Sequence, residues 1–125
     1  MPFSTGVITN TRDVGTASSN IVMNVRNLDT TNPVTVTVQV FASVNSTTFY
    51  TAYLITYVVP ANSYNVREFF IAGNVSYEVQ INTTSVATPN ALLSVFGIDG
   101  FGNLVTDQRI LQSELSVISS LSPIM

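Results

Sequence analysis

The chain contains no cysteine, histidine, lysine or tryptophan, and four arginines and seven carboxylates are its only charged side chains in 125 residues. An average domain has about a quarter of its residues charged, so this one carries about a third of the usual complement. Each absence excludes a chemistry. Without cysteine there is no disulfide, thiolate metal site or thiol nucleophile. Without histidine the usual general base and the commonest metal ligand are missing. Without lysine there is no Schiff-base chemistry and no polybasic patch. A net charge of −3 argues against nucleic acid, whose binding needs many cationic contacts. An enzyme, a cofactor and a metal are not expected.

Membrane and export readings fail as well. Residues 30–66 hold no charge, but Thr, Ser and Asn interrupt them every second or third position, which excludes a spanning helix. Paired aromatic girdles, the mark of an outer-membrane barrel, are absent. Met1 to Gly6 offers neither a basic stretch nor an apolar run of signal-peptide length, so a Sec leader is not expected.

What is present is Val, Thr, Ser and Asn, and their periodicity sets the fold class. Val34, Val36, Val38, Val40, Ala42 and Val44 alternate with Thr35, Thr37, Gln39, Phe41 and Ser43, a strand period in β-branched residues. Val75, Tyr77, Val79 and Ile81 alternate with Ser76, Glu78, Gln80 and Asn82 in the same way, as do Ile21, Met23 and Val25 with their neighbours. The stretch 49–59 is apolar on both faces and should be central or covered. Turn formers separate these segments: Asp29 to Pro33, Asn45 to Thr48, Pro60 to Ser63, Ala72 to Asn74, and Asp99 to Asn103. With 64–71, 91–98 and 104–111 the count is about 7–8 strands, spaced as in an antiparallel β-sandwich of jelly-roll type. Leu111, Leu115, Ile118 and Leu121 make one short helical stripe. The expected organisation is an all-β domain over residues 20–125, preceded by an extended N-terminal arm over residues 1–19. Phe3, Val7 and Ile8 are the apolar residues of that arm, suited to docking in a groove of its own subunit or of a neighbour.

The remaining chemistry has local explanations. Most carboxylates sit beside an arginine or in a turn: Arg12 with Asp13, Arg26 with Asp29, Arg67 with Glu68, Asp107 with Arg109, and Asp99 in its glycine loop. Asp99, Asn103 and Asp107 do not follow the order of a calcium loop. Tyr50, Tyr53 and Tyr57 invite a glycan-binding reading. Alternation puts Tyr53 and Tyr57 on one face and Tyr50 on the other, so no flat platform follows. They are read as buried or interface aromatics instead.

Low charge then becomes the most informative feature. Val- and Thr-rich strands without lysine have little defence against edge pairing, and isolated domains ordinarily keep a far more charged surface. The pattern is economical if other copies occupy those edges. The layout resembles the endospore-appendage fibre subunits of spore-forming Bacilli. The residues that carry the likeness are the polar arm, Asn27-Leu28-Asp29, Asn32-Pro33, Pro60 to Ser63, Ala72 to Val79 and Phe96 to Asn103. The resemblance implies a jelly-roll subunit whose N-terminal arm adds a strand to the next copy. It further implies a non-covalent homopolymer at the spore surface or outside the cell, with an anchoring or tip protein as a further partner. The cysteines that staple such arms in that family have no counterpart here. A carbohydrate-binding or virion-surface sandwich is the alternative expectation.

Overall fold

The computed structural model describes residues 1–10, 17–45, 47–85 and 90–123, apart from the side chains of Thr106 and Asp107. Ten strands follow in order: β1 (Pro2–Ser4), β2 (Ile8–Thr9), β3 (Asn20–Asn27), β4 (Val34–Ser43), β5 (Tyr50–Val59), β6 (Tyr64–Phe70), β7 (Ser76–Thr84), β8 (Ala91–Ile98), β9 (Leu104–Ile110) and β10 (Ser116–Val117). Gln112–Glu114 forms a single 3-10 turn. The Leu111–Leu121 stripe is therefore not a helix. Ser116 and Val117 pair instead with Ser4 and Phe3, and extended backbone at Leu115 turns its side chain into the core.

Two antiparallel sheets form. The first runs β10-β1-β7-β4-β5, with β2 also on β7, and the second runs β6-β3-β8-β9. The pairs β4 with β5, β3 with β6, and β1 and β2 with β7 are nested in the chain like the arms of a folded ribbon. Rolling that ribbon up adds β4 to β7 and β3 to β8, which is jelly-roll wrapping. β9 takes the place beside β8.

The alternation read in the sequence fixes which way each strand faces. Ile21, Met23 and Val25 of β3 meet Val34 to Val40 of β4, Val79 and Ile81 of β7, and Leu93 and Val95 of β8 in one core. A one-residue slip in any of these strands would send its whole apolar set to solvent, so the pattern also fixes register. The turn chemistry is as local as expected. Asp29 Oδ1 accepts the backbone N–H groups of Thr31 and Asn32, both at 2.9 Å. Asp99 Oδ1 does the same for Phe101 and Asn103. The Arg26 guanidinium does not pair with Asp29. It donates to the carbonyls of Asn27 and Ser63 and to Asn62 Oδ1. Arg12 and Asp13 lie outside the described residues, as does the side chain of Asp107.

One irregularity redirects side chains. Register shifts between Val40 and Phe41, so β5 carries one extra residue: Val40 faces Tyr53, but Phe41 faces Thr51 and Ala42 faces Tyr50. A bulge of this kind inverts the alternation beyond it. Tyr50 is thereby turned to the same inner side as Tyr53 and Tyr57, contrary to simple alternation, and packs against the core with Tyr53. β5 is also an edge strand rather than a central one. Leu54 and Val58, on its outer face, stay about half exposed instead of being covered.

Candidate assembly surfaces

Residues 1–10 lie on their own sheet. Phe3 sits opposite Ile81 of β7 and opposite Val117 of β10, so β1 fills a slot between two strands. Its ring points inward and is only 8% exposed. Ile8 pairs with Tyr77 and packs half-buried on the same core. Val7 is different. It is 64% exposed on the outer side, because residues 5–7 break the pairing between β1 and β2. Gly6 has φ +71° there, a conformation that favours glycine. Of the three arm residues read from the sequence, two plug the core and one faces solvent.

The arm is anchored at its base by a buried polar network that the sequence did not signal. The Asn10 amide donates to the carbonyls of Ser18 and Asn74, both at 3.0 Å, and its Oδ1 accepts the Ser18 N–H at 2.8 Å. Gln108 Nε2 donates to the same Oδ1, while Tyr77 Oη and Ser18 Oγ donate to Gln108 Oε1. Asn10, Ser18 and Gln108 are each 2% exposed. Burying these groups is tolerable because each is paired. Gly97 makes room: a Cβ there would lie 2.2 Å from both Gln108 Oε1 and Ser18 Oγ. Spacing along the chain carries no trace of a contact between residues 10, 18, 77 and 108, since it exists only once four elements meet.

The three tyrosines on β5 are committed locally. Tyr50 Oη donates to Asn74 Oδ1, Tyr53 Oη donates to the Phe70 carbonyl, and the Tyr53 ring lies 5.1 Å from that of Phe69. Tyr57 is 9% exposed, with the Arg67 guanidinium 4.5 Å above its ring centre. Burial pushes its phenol up to about 12, although Arg67 pulls the other way. Its hydroxyl has no hydrogen-bond partner among the described residues. Rings packed inward in this way do not form a stacking platform on the surface.

Two open surfaces remain. The first is β5 itself, ten residues without a charge at the end of its sheet. The second is the outer face of the second sheet. Tyr64, Val66 and Phe70 of β6 are all more than half exposed there, as is Leu104 of β9, and Leu92 of β8 is nearly so. No group of three or more metal-ligating side chains occurs among the described residues. In comparisons with known proteins, no family model, characterised relative or solved structure matches the chain.

Proposed function

We propose that this protein is a non-enzymatic structural subunit that assembles with copies of itself into a fibre, at a spore surface or outside the cell, by passing its N-terminal strand to a neighbour. The observation that supports this reading is the position of β1. It is a three-residue strand that precedes the rest of the sandwich, paired on both sides, with one aromatic plug in the core. A strand of that kind makes identical contacts in the slot of a second copy, so exchange costs little beyond association itself. Passed head to tail, such a contact propagates as an open polymer when the rotation between copies does not close a ring.

The absence of cysteine provides a clean test. Pro2 lies directly opposite Asn82. The backbone bonds between Met1 and Thr83 show that residues 2 and 82 form the closer, non-hydrogen-bonded pair that suits a disulfide. In P2C/N82C, oxidation of an unexchanged chain gives an internal bridge and a band at 13.5 kDa. Oxidation of a strand-exchanged fibre, imaged by negative-stain electron microscopy, gives a covalent ladder on a non-reducing gel. Mixed P2C and N82C single variants should cross-link only between chains. Fibres that yield no ladder would show that the arm is not the connector, and a chain that forms no fibres removes the reading.

A further inference from the structure

The outer face of the second sheet has a charge pattern that the fold alone does not require. Strand register puts Glu68, Val22, Phe96 and Arg109 in one row across all four strands, on one face. The acid stands on one edge strand, β6, and the base on the opposite edge strand, β9. The two middle members are apolar. Neither the Glu68 carboxylate nor the Arg109 guanidinium has a hydrogen bond or ion pair among the described residues, and both residues are exposed. The next row along is Phe70, Asn20, Ile98 and Leu104, its two ends 62% and 53% exposed; Arg26, also on this face, is already held by Asn27, Ser63 and Asn62. An apolar strip with opposite charges at its two ends is complementary to itself.

We infer that this face is a contact between two copies, related by a two-fold axis that runs parallel to the strands. That rotation lays β6 of one copy over β9 of the other at the same height. Glu68 then meets the second copy's Arg109 at both flanks, and Val22 packs over the second copy's Phe96 between them. An axis across the strands would instead stack β6 on β6 and leave both charges without a counterpart. The usual twist of about 30° between packed sheets displaces the row ends by only about 4 Å, within reach of these long side chains. Four strands and seven residues of strand length give a footprint of roughly 20 by 24 Å. With side-chain relief this buries about 600–800 Å² per copy, the lower range of specific interfaces. The contact is independent of strand exchange, because it uses the other sheet.

Charge exchange tests it. Sedimentation equilibrium on oxidised, internally bridged P2C/N82C protein excludes strand exchange, so any dimer measured there is the face contact. In that background E68R and R109E should each raise the dimer Kd at least tenfold. An equimolar mixture of the two, or the double variant E68R/R109E, should return it to within about threefold of the parent, since every cross-pair is again opposite in sign. A parent that stays monomeric at about 100 μM overturns the inference. So do single variants that dimerise as well as the parent, or a mixture that remains as weak as its components. Far-UV circular dichroism of each variant separates lost contact from lost fold.

Discussion

Gly97 offers the sharpest test of the buried network at the base of the arm. In Gly97→Ala the new methyl would sit 2.2 Å from Gln108 Oε1 and from Ser18 Oγ, and 3.0 Å from Gln108 Cβ. Both polar atoms would have to retreat by at least about 1.2 Å to reach ordinary van der Waals contact, yet both residues are 2% exposed and cannot swing out to solvent. The bonds at stake are those from Tyr77 and Ser18 to Gln108 and from Gln108 to Asn10. At about 1 kcal/mol per bond the loss is about 3 kcal/mol. The reduced freedom of alanine in the unfolded chain returns about 0.4–1 kcal/mol. The expected cost is therefore about 2–3 kcal/mol. With an m-value near 2 kcal/mol/M, the urea midpoint should fall by about 1–1.5 M. Gln108→Ala removes the main obstruction, so Gly97→Ala made in that background should cost at least 1 kcal/mol less than it does alone, by the non-additivity of neighbours. Two additive single effects, or a Gly97→Ala cost below about 0.5 kcal/mol, would refute the packing argument.

Two further outcomes follow from the tyrosine and the turn. Tyr57 should stay protonated at pH 11, as read by phenolate absorbance. Its folded value of about 12 lies above the ordinary 10, so the stability it contributes is complete below pH 10 and is lost between 10 and 12. Tyr57→Phe removes a buried hydroxyl without a partner and should leave stability unchanged or raise it by up to about 1 kcal/mol; a loss above 1 kcal/mol would reveal a partner for that hydroxyl. The backbone N–H groups of Thr31 and Asn32 hold Asp29 at about 2, below its ordinary 3.8. Its contribution is therefore present above pH 3.8 and disappears as pH falls through 2, which a carboxyl NMR titration measures; a midpoint near 3.8 contradicts the cap.

The strands β3 to β9 were legible almost to the residue, because alternation of Val, Ile and Tyr with Thr, Ser and Asn is imposed by a two-sheet core and is broken by Asn, Asp, Gly and Pro at every turn. Besides the Asn10 network and the Leu111–Leu121 stripe, three things were not legible. The bulge at Val40 and Phe41 leaves no mark in a run that is apolar on both faces, so the direction of Tyr50 came out inverted. The edge position of β5 depends on which strands find partners, and composition says nothing about that. The row from Glu68 to Arg109 joins residues from four separated strands, and it exists only through their register.

The clamp on Asn10 bears on the mechanics of any polymer built by strand exchange. With residue 10 pinned to Ser18, Asn74 and Gln108, the hinge falls at Gly6, only two residues after β1 ends at Ser4. Those two residues span about 7 Å, far less than the width of a domain. Subunits would have to abut directly, with no slack tether between them. Bending such a filament would strain packed interfaces at every joint, so it would behave as a stiff rod and not as a string of beads.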